Sequence, residues 1–399
     1  MIEITSYLHR EEFKNLIRRW MYHQARPTDA DDINRLVHFN NAFVSRYLPA
    51  FAERLFAQLH TQPFYGRRSR RKADLKDAIV INCPEHNARI DQMLIDYRTD
   101  PGLFYRETPF HGMLYFRQGP DGPAIIGSSR IKRVRRLAEK TARRIIDAVF
   151  ESIRGRADRL AQDRAARVGV PVSALITPPD QMVEEFQRAE SRLLEDLKLD
   201  RPILSRKQLV IQDVAGIKVL VEDQGRDAFL EKAARLESCE LIEVEPHSGA
   251  YNAVNLILRH RPDKAALIAP PPSSRLIGLM KLHGLGPEQV HEHFRQFVLQ
   301  GEEHVHIEVI VCNYQEMLES EIGRCMHEDR IIQQRLTQQY NGQLARNIEF
   351  LIAYLFAFAA SDRKELGELP IRLWDRYLPD YFDEVLMGLY DMPRLEVME

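Results

Sequence analysis

Two groups of residues have types and spacings that can do chemistry. The first lies in 304–328, HVHIEVIVCNYQEMLESEIGRCMHE. Ile307, Val309 and Val311 alternate with Glu308, Ile310 and Cys312, so a strand is expected, with His304, His306 and Glu308 on the face opposite the branched residues. Helical spacing follows through Met317, Ile322 and Met326. A carboxylate on a strand face beside a helix is a candidate metal site. The i, i+2 pair His304 and His306 with Glu308 also has the spacing of a Zn²⁺ site, although two histidines at a polar strand rim account for it more simply. The second group is Lys132, Arg136, Lys140 and Arg143, which fall within about 80° of arc at 100° per residue. Such a comb offsets the charge that grows on a triphosphate during transfer. The same spacing also suits a solvated basic face.

Without a gap, 307–327 resembles the closing motif of RelA/SpoT-type alarmone synthetases, roughly V-E-V-Q-I-R-T followed by K-Q-M-H-E-D-A-E-L-G-V-A-A-H. Glu308 falls on the family's catalytic glutamate, and Gln315, Glu321, Gly323 and His327 fall on matching letters. Ile310 and Cys312 stand where the family has glutamine and arginine, on the Glu308 face. Arg130, Lys132 and Lys140 match the donor motif R-x-K-x-x-x-S-x-x-x-K, with Arg136 in place of the serine. The stretch 209–221, LVIQDVAGIKVLV, is similar to D-x-x-G-x-R-V: Asp213 falls on the metal-binding aspartate, and Lys218 on an arginine whose planar fork a lysine lacks. The stretch 251–258 resembles G-Y-x-S-[IL]-H. Tyr251 falls on the tyrosine that stacks on the acceptor base, Asn255 replaces the histidine, and His247 stands in for a lysine of the preceding turn. The resemblance covers about 128–330, interrupted by two insertions.

Composition suits such a chain without specifying it. The 399 residues are 44% hydrophobic and 29% charged, enough for a sizeable core. Fifty-six basic against 58 acidic residues give −2, so no whole-molecule attraction to nucleic acid or membrane is implied. Cys83, Cys239, Cys312 and Cys325 form no C-x-x-C pair, which favours reduced thiols and a cytoplasmic location. The start, MIEITSYLHREEF, is too charged for a signal peptide, and the apolar run 350–360 is too short for a bilayer and reads as a buried helix.

The elements that must position these residues follow in order. Residues 1–127 read as a mostly helical region, with a helix over 29–62 capped by Thr28/Asp29 and short strands at 78–82 and 112–118, the latter closed by a turn at 119–122. The basic cluster Arg67, Arg68, Arg70, Arg71 and Lys72 suits phosphate or RNA, and more simply a solvated surface. Ser128/Ser129 are expected to cap a long helix with apolar positions Ile131, Val134, Ala138, Ile145, Val149 and Ile153. A helical hairpin is inserted at about 147–205. Strands follow at 209–221, interrupted at Gly216, at 241–245 and at 251–258, then a proline-rich turn and helix over 270–299. Helices over 331–360 and 370–387 form a C-terminal region, 331–399.

The resemblance implies an α+β fold, with a mixed β-sheet of the nucleotidyltransferase kind flanked by helices in a core spanning 128–330. It implies transfer of the β,γ-pyrophosphate of ATP to a ribose 3′-hydroxyl, usually of GDP or GTP, with Mg²⁺ on Asp213 and Glu308. Glu308 would accept the hydroxyl proton. Arg130, Lys132, Arg136, Lys140 and Lys218 would face ATP; Tyr251, Asn255 and His247 would face the acceptor. Alternatives are an inactive nucleotide-sensing or protein-binding relative, and a toxin-like relative whose acceptor is a tRNA end. A homo-oligomer is left open, and no membrane partner is expected.

Overall fold

Two rows of side chains cross a seven-stranded sheet from edge to edge. In strand order the sheet is β2 (Phe64–Arg71), β3 (Pro109–Gly119), β4 (Gly122–Ile131), β6 (Ala215–Leu220), β9 (Val305–Cys312), β8 (Ala253–His260) and β7 (Cys239–His247). One row runs Ser69, Gly112, Arg130, Gly216, Glu308, Ile257, Glu243; the next runs Arg67, Leu114, Ser128, Lys218, Ile310, Asn255, Glu245. Cross-strand partners share a face, so all of these lie on one side, called the front. The β6–β9 pair is parallel and the other pairs are antiparallel, giving a mixed sheet in an α+β fold. A separate parallel pair joins β1 (Ile2–Ile4) to β5 (Leu209–Ile211). The computed structural model describes residues 2–60, 62–81, 83–119, 122–201, 209–248, 252–323, 325–337 and 340–393.

The back of the sheet is the main core. Ile217, Val219, Leu256, Leu258, Val309 and Val311 are all essentially inaccessible, in one cluster with residues of the helices Asp29–Leu59 and Val134–Val168. Each such side chain contributes about 1.5–3 kcal/mol, which is why the alternation of β9 is strict. One end of the front face carries a smaller core, where Leu114, Phe116, Ile125 and Cys312 meet Ile79, Ile90, Leu94, Met317 and Ile322. Beyond it the front face is mostly polar, with Ile257 between Glu308 and Glu243 an apolar exception.

Several local expectations change. The run at 78–82 is not a strand: residues to Ile81 belong to the helix Lys72–Ile81, whose apolar side covers the front core. Ser128 and Ser129 do not cap a helix. They lie in β4, and the long helix starts at Val134 after Arg133. The strand expected over 209–221 breaks at Gln212–Val214 rather than at Gly216, because its first part pairs with β1 and its second with β4 and β9. Thr28 makes no capping bond; the buried Asp29 carboxylate instead accepts Trp20 Nε1 at 3.0 Å and the Arg26 N–H at 3.1 Å. The last helix is Pro379–Leu389, not 370–387. The helical hairpin expected at about 147–205 is Val134–Val168 followed by Pro179–Lys198, its first helix starting at Val134. The sheet also crosses residue 127, since β2 and β3 precede it. No described helix is long and apolar enough to cross a membrane.

Candidate active site

Gly216 is the low point of the front face. An added Cβ there would lie 3.5 Å from both Arg130 Nε and Glu308 Oε2, the side chains of the strands on either side. Arg130 Nη2 and Glu308 Oε2 approach to 3.7 Å over it. Three residues upstream, in the break between β5 and β6, Asp213 accepts Lys132 Nζ at 2.5 Å and Lys140 Nζ at 2.6 Å. Lys132 follows β4, its N–H donating to the Val214 carbonyl at 2.8 Å, and Lys140 comes from the second turn of the long helix. A strand end and a helix start therefore aim two ammoniums at one carboxylate.

The electrostatics set the two acids apart. Burial alone would raise the Asp213 pKa, but Lys132 and Lys140 overcome it and hold the carboxyl far below its usual range. Both lysines address Oδ2, and Oδ1 is buried without a hydrogen bond. Glu308 is raised by burial; Arg130 offsets part of this and Asp213 adds to it. Its Oε2 is likewise buried without a hydrogen bond. Burial lowers Lys132 to about 8 despite Asp213 beside it. One acid held low by two lysines thus stands near one acid raised by burial, the contrast that acid–base sites exploit.

A second charged cluster adjoins the first through Lys218. Glu321 accepts Lys72 Nζ at 2.6 Å and Lys218 Nζ at 3.2 Å. Lys76 Nζ donates to the Glu321 carbonyl at 2.6 Å, and Glu328 lies 3.7 Å from Lys72 and 3.8 Å from Lys76. Lys72, Lys76, Glu321 and Glu328 are all buried. Burial disfavours the Glu321 carboxylate, yet Lys72 and Lys218 hold its pKa well below the ordinary range. A π-helical turn, Glu319–Gly323, presents this side chain, and such turns recur at functional sites.

Arg130, Lys132, Lys140, Asp213 and Glu308 therefore come together, with Lys218 two residues along from Gly216 on the same face. Arg136 does not join them: it pairs with Glu139 and reaches Gln334 Oε1 at 3.3 Å, while Arg143 bonds the Gln334 carbonyl. The comb divides: Lys132, from the strand end before the helix, and Lys140 turn to Asp213, whereas Arg136 and Arg143 on the same helix face are held by Glu139 and by Gln334 of the helix Met326–Leu336. Asn255 shares the row of Lys218 and Ile310, and its Oδ1 is buried without a hydrogen bond. His247, at the end of β7, lies 3.6 Å from Glu245. Tyr251 lies outside the described residues. His306 also has a buried, unbonded ring nitrogen, but no group of three or more His, Cys, Asp and Glu able to hold a metal occurs among the described residues.

Lys72, the last member of the basic cluster, is buried rather than solvated, and Lys76 and Glu328 join it. In the sequence Glu321 is only a matching letter, the i, i+4 spacing of Lys72 and Lys76 is the one signal for Lys76, and nothing marks Glu328. No protein-family model matches the chain, and no curated protein matches it.

Proposed function

We propose that the front face binds ATP and transfers its terminal pyrophosphate to a nucleotide 3′-hydroxyl, as in an alarmone synthetase, on a nucleotidyltransferase-like sheet. The observation that carries this reading is the convergence of Asp213 and Glu308 with Arg130, Lys132 and Lys140 around the gap over Gly216. Two buried carboxylate oxygens without hydrogen bonds, one from each acid, are hard donors that suit Mg²⁺, which is commonly held by one or two carboxylates together with substrate phosphates. Bound there, the ion would neutralise charge on the phosphates.

The protein's own groups supply the rest. Lys132 and Lys140, held by Asp213 in the free protein, exchange that carboxylate for phosphate oxygens and position the donor. Arg130 lies beside the same phosphates and, 3.7 Å from Glu308, offsets part of the burial cost of that carboxylate. Glu308, made more basic by burial, accepts the proton of the attacking hydroxyl. Lys218 is tied to Glu321 rather than directed at the donor. On the acceptor side Asn255 offers a neutral amide where the related motif has a histidine, which favours an acceptor other than GDP or GTP.

A second reading, nucleotide binding without turnover, is favoured by one observation. Ile310 and Cys312 make the front face of β9 apolar beyond Glu308, and Cys312 is wholly buried against the smaller core. The deciding experiment incubates the protein with γ-labelled ATP and Mg²⁺ against GDP, GTP, AMP, ADP, ATP and bulk tRNA. Label on one acceptor supports the transferase; ATP binding with no labelled product supports the second reading; absence of ATP binding overturns both.

A further inference from the structure

The two edges of the seven-stranded sheet carry opposite charge. β2, FYGRRSRR, has Arg67, Arg68, Arg70 and Arg71 and no acid; β7, CELIEVEPH, has Glu240, Glu243 and Glu245 and neither lysine nor arginine. Each pairs on one side only, β2 with β3 and β7 with β8, so among the described residues neither outer edge has a second strand partner. Both also expose apolar side chains: Tyr65 is 49% accessible, Ile242 42% and Val244 46%.

We propose that these edges pair with each other between copies of this chain, extending the sheet head to tail. Charged edges ordinarily keep copies apart, and here β2 against β2 or β7 against β7 is repelled. β7 against β2 is attracted, and the topology permits it without inversion. Following the pairings across the sheet, β2 runs antiparallel to β7. A second copy laid beside the first in the same orientation therefore sets its β2 antiparallel to β7, with the front faces continuous. The register rows put Arg67 on the front face at one edge and Glu243 and Glu245 on it at the other; Glu240, paired with Arg259, faces the same way. The contact brings opposite charges face to face and covers Tyr65, Ile242 and Val244.

The length of the contact is limited. Pro246 has no N–H, and the pairing shifts register between Leu241 and Glu243 in β7 and between Ser69 and Arg71 in β2, so a handful of residues on each side can align. Such a contact is heterologous and reversible, forming open chains or a closed ring.

Sedimentation velocity on the full chain across a wide concentration range tests this. The expected result is concentration-dependent association at low salt that weakens at about 0.5 M salt, where screening acts within about 4 Å. Wild-type amide exchange should slow with concentration in β2 and β7 specifically. The variants Glu243→Lys/Glu245→Lys and Arg67→Glu/Arg68→Glu should each remain monomeric alone, since the first puts two lysines on the edge that meets β2 and the second cancels the charge of β2, leaving only Arg70 and Arg71 to offset the two added acids. Mixed one to one, they should associate again, because the unaltered β2 of the first variant then meets the unaltered β7 of the second. Four results would overturn the proposal: a wild-type monomer at every concentration, association of either variant alone at the wild-type level, failure of the mixture to associate, or concentration-dependent protection confined to other segments.

Discussion

Arg130 and Glu308 face each other across Gly216, 3.7 Å apart, with no β6 side chain between them. At 3.5 Å from both neighbours, a Cβ at Gly216 makes ordinary contact, so Gly216→Ala should fold with stability within about 1 kcal/mol of wild type. Gly216→Val fills the gap with two more methyl groups. It should keep the fold, because valine suits a strand, and weaken ATP binding by tenfold or more, about 1.4 kcal/mol. Calorimetry giving wild-type ATP affinity for Gly216→Val would place the phosphates elsewhere.

Lys132 and Lys140 share one carboxylate oxygen, so their effects should not add. Either alanine variant alone should weaken ATP binding by about 1–3 kcal/mol, the scale of a charge-assisted phosphate contact. The double variant leaves the half-buried Asp213 with neither ammonium and should destabilise the fold by about 1–3 kcal/mol, and adding Asp213→Asn should restore most of that. Urea denaturation of wild type, the two single variants, the double and the triple variant distinguishes this from simple additivity.

What was legible followed from periodicity and short-range spacing. The strict alternation of 305–312 announced β9, and the face assigned to Glu308 is the one observed, because slipping that strand by one residue would expose four branched side chains. Arg130 and Lys132 were found by type and misplaced by element. Ser128 and Ser129 look like caps, but both are buried between strands, where pairing with β3 and β6 outweighs capping preference. The break at 212–214 was invisible because it depends on β1, some 200 residues away. The Lys72, Lys76 and Glu321 cluster was illegible for the same reason: its members meet only when the helix after β2 packs against the turn after β9.

Glu308→Gln keeps the shape of the site and removes its base. In the labelled-ATP assay it should lower turnover by about 10²–10⁴-fold with little change in ATP affinity. Asp213→Asn should mainly raise the Mg²⁺ concentration needed for half-maximal rate. Equal turnover by Glu308→Gln and wild type would remove Glu308 from the chemistry.

Glu321 is the hub of the second cluster, between Lys72 and Lys218 and beside Lys76. Glu321→Gln keeps the volume and removes the charge, leaving Lys72 with only the more distant Glu328 as an acidic partner, while Lys76 keeps the carbonyl of residue 321. The expected loss is about 3–5 kcal/mol of stability, as for breaking a buried pair from one side. Lys218, more exposed than Lys72, should matter less, and Lys218→Met should cost clearly less than Glu321→Gln. Equal costs by denaturant titration would mean that the network is not centred on Glu321.

His260 gives stability a pH dependence unrelated to the front face. It lies at the end of β8, 2% exposed, with Nδ1 3.2 Å from the Ser238 carbonyl, Nε2 3.3 Å from Arg54 Nη2 and the Phe51 ring 4.8 Å away. Burial, reinforced by Arg54, lowers its pKa from 6.5 to about 4. A lowered histidine binds its proton more readily in the unfolded chain, so between these two values unfolding takes up a proton and stability rises with pH. The contribution is complete above about pH 7 and shrinks as pH falls through 6.5 toward 4; from pH 7 to pH 5 His260 should remove about 2 kcal/mol. His260→Gln cannot titrate and should lose that part of the slope, whatever it costs at neutral pH. Urea denaturation at pH 7 and pH 5 on both proteins gives the four free energies, and an unchanged slope in the variant would show that the buried histidine does not carry this dependence.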